Sequence, residues 1–187
     1  MPSPKIIVLG SLHGKLESAF KKLATLHARN AFTIALLTGD LFAPDTDDAT
    51  IDALLAGHYA LPLPTYFTVG AHALPERIIA KIQADEEICP NLHFLGRRSV
   101  IKTSEGIRIA SLGGVSVANP SDDSKAQYLP FHTEDDAKSL KGANSADILL
   151  TSTWPTGIWN GSKAALDSAH KTPIPPLRLA RPVLLRT

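Results

Sequence analysis

A layered α/β/α sandwich with a mixed central sheet is the fold class this 187-residue sequence predicts. Three observations predict it. Apolar, β-branched runs KIIVL (5–9), FTIALL (32–37) and TYFTV (65–69) read as buried parallel strands. Segments with apolar residues at three- and four-residue spacing separate them, as crossover helices do. After about residue 90 the pattern changes to short strands divided by turns, so the later part of the sheet is expected to pair differently.

The first strand, residues 5–9, leads into a helix with Leu16, Ala19, Phe20, Leu23 and Leu26 on one face. Lys15, Glu17, Lys21 and Lys22 take the other. The second strand, 32–38, is followed by an acidic loop and a helix over about 50–55, closed by Gly57. Pro62 and Pro64 bracket a turn before the third strand, 65–69. Pro75 suits a first helical turn, and the helix it opens carries Ile78, Ile79 and Ile82 inward. Short strands at 91–95, 99–102 and 107–112, divided by Gly96-Arg97 and Ser104-Glu105-Gly106, predict a meander or hairpin. Residues 122–128 read as a polar loop, and Thr133 with Asp136 three positions on predicts a capped helix over 134–141. A buried strand at 148–150 ends in TSTWPTGI. One more helix is expected at 163–169, then an extended tail containing Pro173, Pro175, Pro176 and Pro182. The organisation expected is one domain over 1–170 and a Pro/Arg-rich tail over 171–187.

With 44% hydrophobic and 20% charged residues, the chain is large enough to bury a core. Its single cysteine, Cys89, excludes a disulfide framework and a thiolate zinc cluster, and reads as a buried structural thiol. No basic-then-apolar leader opens the sequence, and no stretch approaches the about 18–20 apolar residues of a membrane span. An intracellular, reducing compartment and no membrane partner are expected. The net charge of +1 hides an asymmetry: Lys171, Arg178, Arg181 and Arg186 stand in a tail with no acid. They leave 15 Lys and Arg against 18 Asp and Glu in the remainder, about −3. Tight autonomous RNA binding needs a basic face, and the remainder offers only a small cluster of Arg97, Arg98 and Lys102.

The chemistry-bearing residues sit at strand ends. GSLHG (10–14), TGDLF (38–42) and VGAHA (69–73) each place glycine beside His13, Asp40 or His72 at the carboxyl end of a strand. Ligands collect there in open α/β sheets, so three such loops point to one site. Taken singly, Asp40 could as well be a loop anchor or a helix cap, and the glycines could serve tight turns. His27, His58, His93 and His132 are read as satisfied structural residues. Arg97 and Arg98 are candidates for phosphate contact, although a solvated basic turn is the plainer reading. Trp154 and Trp159 are candidate aromatic contacts for a protein partner or a flipped base. GxxxxGK[ST], GxGxxG after the first strand, and GxSxG are all absent, which removes the corresponding nucleotide-binding and serine-hydrolase readings.

In order, GSLHG, TGDLF, VGAHA and TSTWPTGI resemble the motif series of calcineurin-like metallophosphoesterases. LLTSTWPTGI further resembles the RNA lariat-debranching enzyme. KIIVLGSLHGKL, LPLPTYFTVGAH, NLHFLGRRSVIKTSEGIRIASLGG and ADILLTSTWPTGI are together similar to a noncatalytic relative of that enzyme. This is the N-terminal domain of the debranching-enzyme-associated, CwfJ-domain (Cwf19-like) spliceosomal proteins, and the similarity spans about residues 5–160. The resemblance implies a fold built for two bridged divalent cations, but one that has lost donors. Ser11 stands where the first Asp ligand belongs, Ala71 where the Asn ligand belongs, and Ser152 where a His belongs. His13, Asp40 and His72 match, and the closing Gly-x-His-x-His motif has no counterpart. A serine hydroxyl is a weak ligand and alanine none. No catalytic residue and no resident cofactor are therefore expected, with His13 and Asp40 at most a weak site for one divalent cation.

The resemblance implies a nuclear protein, with the cytoplasm as a second location, that assists intron-lariat turnover. The implied partners are the RNA lariat-debranching enzyme, late spliceosome components and branched intron RNA. It also implies a chain cut short before the strand that closes the sheet. Two other readings stand beside it: an active metal-dependent phosphodiesterase using His13, Asp40 and His72, and a pure protein-interaction scaffold.

Overall fold

The computed structural model describes residues 4–118, 120, 126–143 and 145–153. Its contacts divide the chain into Met1–Ser152, whose architecture follows, and Thr153–Thr187. The expected helix at 163–169, the proline-rich tail, Trp154 and Trp159 lie outside the described residues.

Four parallel strands form the first sheet in chain order: β1 (Ile6–Leu9), β2 (Ile34–Leu37), β3 (Thr65–Phe67) and β4 (Leu92–Phe94). Successive right-handed crossovers in that order place the connecting helices on one face. These are α1 (Leu16–Asn30), α2 (Asp48–Leu55) and α3 (Glu76–Gln83). Strand alternation sorts the side chains. Ala35, Leu37 and Phe67 meet Leu16, Phe20, Leu23, Ile51, Leu54 and Ile78 of the helices, most of them fully buried. Ile34, Leu36 and Tyr66 point the other way into a second core with Leu95, Ile107, Ile109 and Leu150. β2, buried on both faces, is accordingly a continuous apolar run.

That second core is the contact between two sheets. The facing sheet holds β5 (Arg98–Lys102), β6 (Arg108–Leu112) and, as the ninth strand, β9 (Ile148–Thr151). β5 and β6 are an antiparallel hairpin, whereas β6 and β9 run parallel. The mixed pairing thus resides in this second sheet, and the first is wholly parallel. Of the predicted meander or hairpin, the hairpin of β5 and β6 is present, whereas the strand at 92–94 pairs with β3, because α3 carries it back parallel to the first sheet. Two short strands not foreseen, β7 (Val115–Ser116) and β8 (Phe131–His132), pair parallel between β6 and α4 (Glu134–Ser139). The expected buried strand at 148–150 is buried only at Leu150; Leu149 and Val100, which flank Ala110 from either side, are exposed.

Local chemistry explains the helix ends. Asp47 caps α2 by accepting the Thr50 N–H, which also lowers its own carboxyl pKa, so the helix starts before the predicted Thr50. Thr133 and Asp136 form the predicted capping box of α4, which shortens to a 3₁₀ turn after Ser139. Pro75 stands at the N-cap of α3. Cys89 is buried, and its thiol is pushed up to about 11 by burial first and Glu87 second, so it stays a neutral thiol.

Candidate functional site

The loops after β1, β2 and β3 converge at the carboxyl end of the first sheet. Backbone hydrogen bonds hold the first two together: Leu12 and His13 N–H groups donate to the Asp40 carbonyl, and Gly14 N–H to that of Leu41. This requires left-handed backbone at His13 (φ 46) and Gly14 (φ 76). The side chains add a second tier. Ser11 Oγ accepts the Asp40 N–H at 3.3 Å. Gly39, at φ 73, permits this approach, since a Cβ there would strike Ser11 Oγ.

Asp40 is the centre of the site. Its Oδ1 accepts the His72 N–H at 2.9 Å, and its Oδ2 lies 3.2 Å from His72 Nδ1. The carboxylate is 11% exposed and the His72 side chain 47%. Asp40 therefore grips the third loop by both backbone and ring, and the loop-anchor reading describes what it does. His13 takes part through its backbone, while its side chain is exposed. Ala71 is exposed and donates nothing.

Ser152 joins by a relay. Its hydroxyl donates to the Gly114 carbonyl at 2.9 Å, and Gly114 N–H donates to the Val69 carbonyl one residue before Gly70. A Cβ on Gly70 would strike Asp40 Oδ1, so the backbone passes directly under that carboxylate. The structure thus brings Ser11, Asp40 and His72 into contact and ties Ser152 to the same strand end. The Gly113-Gly114 pair in this relay was missed from sequence; a double glycine directly after a strand was the available signal.

A two-metal centre does not fit these residues. Among the described residues no three His, Cys, Asp or Glu side chains converge on one point. The Ser11 hydroxyl takes the Asp40 N–H, the Ser152 hydroxyl gives its proton to a carbonyl, and Ala71 has no donor atom. Hydrogen bonds link the loops where ligand bonds would.

Arg97 and Arg98 are corrected. Arg97 is not a solvated turn residue: its side chain is 7% exposed and points inward. Its Nη2 lies 3.5 Å from Asp136 Oδ1, and its guanidinium sits 5.9 Å from the Phe131 ring centroid. Arg98 Nε shares the same oxygen at 3.3 Å and remains partly accessible. The reason is α4, whose N-terminal capping box presents Asp136 to the turn after β4. His27 also departs from expectation, since its Nδ1 is buried with no hydrogen-bond partner among the described residues. His58 and His93 are exposed, His93 being stacked on Tyr66.

His132 is buried beside this cluster, with Nδ1 2.8 Å from the Gly113 carbonyl. Burial pushes its pKa down, with the Gly113 carbonyl and Asp136 pulling partly back. The neutral ring therefore donates Nδ1–H and holds Gly113 in the relay. A depressed imidazole means the unfolded chain binds the proton more readily, so stability falls as pH drops below the ordinary value of 6.5. Unfolding free energy is expected to be lower at about pH 5.5 than at about pH 7.5. His132→Gln should flatten that slope in paired urea titrations, and an unchanged slope would exclude this origin.

No protein-family model matches the chain. Individual proteins do. CWF19-like protein mug161 of Schizosaccharomyces pombe is 32% identical over 171 residues, 84% of this chain and 29% of that protein. CWF19-like protein 1 homolog of Drosophila melanogaster is 28% identical, covering 82% of this chain and 30% of its own length. CWF19-like protein 1 of Homo sapiens is 28% identical over 83% of this chain and 29% of its own. The chain thus spans less than a third of the curated relatives it matches. Among solved structures, TT1561 of Thermus thermophilus aligns with a TM-score of 0.58 at 18% identity, covering 89% of this chain and 76% of that one. This is a likeness of fold alone, and it agrees with the layered α/β architecture described above.

Proposed function

Because the chain belongs to the CWF19-like family, across a region less than a third of its relatives' length, we propose that it is a noncatalytic, metallophosphoesterase-like domain of a splicing-associated nuclear protein. It works by holding partners in intron-lariat turnover: the lariat-debranching enzyme, late spliceosome components or the branched RNA itself. The observation that carries the noncatalytic reading is the hydrogen-bonded closure of the site. Asp40, the residue that matches a bridging carboxylate, is instead committed to His72 through both oxygens. Two dications held close together need several anionic or imidazole donors to offset their repulsion, and among the described residues this site assembles one carboxylate with one imidazole.

Two measurements test this. A resident cation present a hundredfold above its Kd would add about 2.7 kcal/mol to stability. The melting temperature of the full chain is expected to be the same in chelator and in millimolar Mn²⁺. In parallel, Mn²⁺-dependent cleavage of a 2′,5′-branched RNA is expected to be no faster than with Asp40→Asn. Turnover that Asp40→Asn abolishes would establish the active phosphodiesterase instead. Pull-down of the debranching enzyme without binding of branched RNA above linear RNA would leave the pure scaffold.

A further inference from the structure

β4 closes the first sheet: it pairs with β3 on one side, and among the described residues no strand lies on its other side. Alternate backbone groups of Leu92–Phe94 therefore face away from the sheet. The end of this edge is covered, because the Gln127 carbonyl accepts the Arg97 N–H and the Tyr128 hydroxyl accepts a hydrogen bond from Gln83 of α3. A groove of about 420 Å³ lies between β4 and the end of α3. Its floor is apolar, made by buried Ile88 and Leu92 and half-buried Ile82 and Phe94.

The rim has one sign of charge. Asp85, Glu86 and Glu87 follow α3 in a row and line the groove, all exposed. Lys81 pairs with Glu86 at 2.7 Å, whereas Asp85 and Glu87 form no ion pair among the described residues. A nucleic-acid backbone would be repelled here. The complementary occupant is an extended peptide whose aliphatic side chains and lysine or arginine stems lie on the apolar floor while the cationic heads reach the rim.

We propose that the edge of β4 is a docking site for a basic, aliphatic peptide of a partner protein, added to the sheet as a fifth strand. Main-chain hydrogen bonds to the Leu92 carbonyl and to Phe94 supply part of the affinity, the Leu92 N–H being taken by the Cys89 carbonyl, and Asp85 and Glu87 select the charge. The site lies beside the strand edge and uses none of the loop residues Ser11, Asp40 or His72.

The test is fluorescence anisotropy of the full chain with a labelled short peptide of valine and arginine. Two controls accompany it: the same peptide with glutamate for arginine, and the arginine peptide with proline at alternate positions, which removes N–H donors. Saturable binding of the arginine peptide alone is expected. Asp85→Lys with Glu87→Lys should weaken it by about tenfold or more, since both exposed side chains lie outside the core. Equal binding of the arginine and glutamate peptides, full binding of the proline peptide, or indifference to the double charge reversal would each overturn the proposal. So would a homodimer dissolved by that reversal with no peptide binding, which would make a second copy the occupant.

Discussion

Asp136→Leu is expected to lower the unfolding free energy by about 3–5 kcal/mol. The carboxylate is 5% exposed and serves four groups at once. It receives Arg97 and Arg98 on Oδ1, and the Thr133 N–H and hydroxyl on Oδ2. Arg97 can leave only with difficulty, because it lies under Phe131 and its Nε is already buried with no hydrogen-bond partner among the described residues. Removing Asp136 strands a buried guanidinium, and that desolvation, more than the lost attraction, sets the size of the effect. The same logic predicts rescue. Adding Arg97→Met should return much of the loss, leaving the double variant less destabilised than the sum of the singles by more than about 1 kcal/mol. Urea unfolding followed by circular dichroism measures all four states. A cost below about 1 kcal/mol for Asp136→Leu would show that the pair does not anchor α4 to the turn.

Gly114→Ala is expected to cost about 3 kcal/mol and to lower the melting temperature by about 6–12 °C. Gly114 lies at φ 78, and a Cβ there would stand 2.6 Å from the Phe131 nitrogen and the Pro130 carbonyl carbon. Both neighbours are backbone of the segment that pairs β7 with β8, so neither can rotate aside. The substitution also strains the relay from Ser152 through Gly114 to Val69, and thus the strand end beneath Asp40. Gly10→Ala is the matched control: nothing lies within 4 Å of a Cβ there, and the change should stay within about 0.5 kcal/mol. Equal effects at the two positions would mean that general loop entropy, and not the packed relay, governs this end of the sheet.

Much of the fold was legible because it rests on periodicity. KIIVL, FTIALL and TYFTV all read as strands, of which β2 and β3 are buried while β1 is half-buried with Val8 exposed, and Leu16, Phe20 and Leu23 mark the buried face of α1. The capping box at Thr133 and Asp136 was legible for the same reason, being a local spacing rule. What failed was pairing. The strand at 92–94 follows a turn-rich segment like those after it, yet it joins β3 and not β5. β7 and β8, two residues each, carry no periodic signal at all. Leu149 reads as core by composition and is exposed, because nothing in its own sequence says which sheet face is covered.

The candidate site divides the same way. That Ser11, Ala71 and Ser152 are poor metal donors follows from their side-chain chemistry, which is legible in sequence alone. Their present employment was not. Only the folded arrangement shows Ser11 accepting from Asp40, Asp40 holding His72, and Ser152 reaching Val69 through Gly114, because each contact joins loops about 30 or more residues apart. Arg97 makes the contrast sharpest. Its charge and its turn are local facts that suggested a solvated cation. Its burial depends on Asp136, 39 positions away, being delivered by a helix cap. Sequence determined which side chains stand at these strand ends, and tertiary structure decided what they hold together, since hydrogen bonds and ion pairs depend on distances that no local pattern encodes.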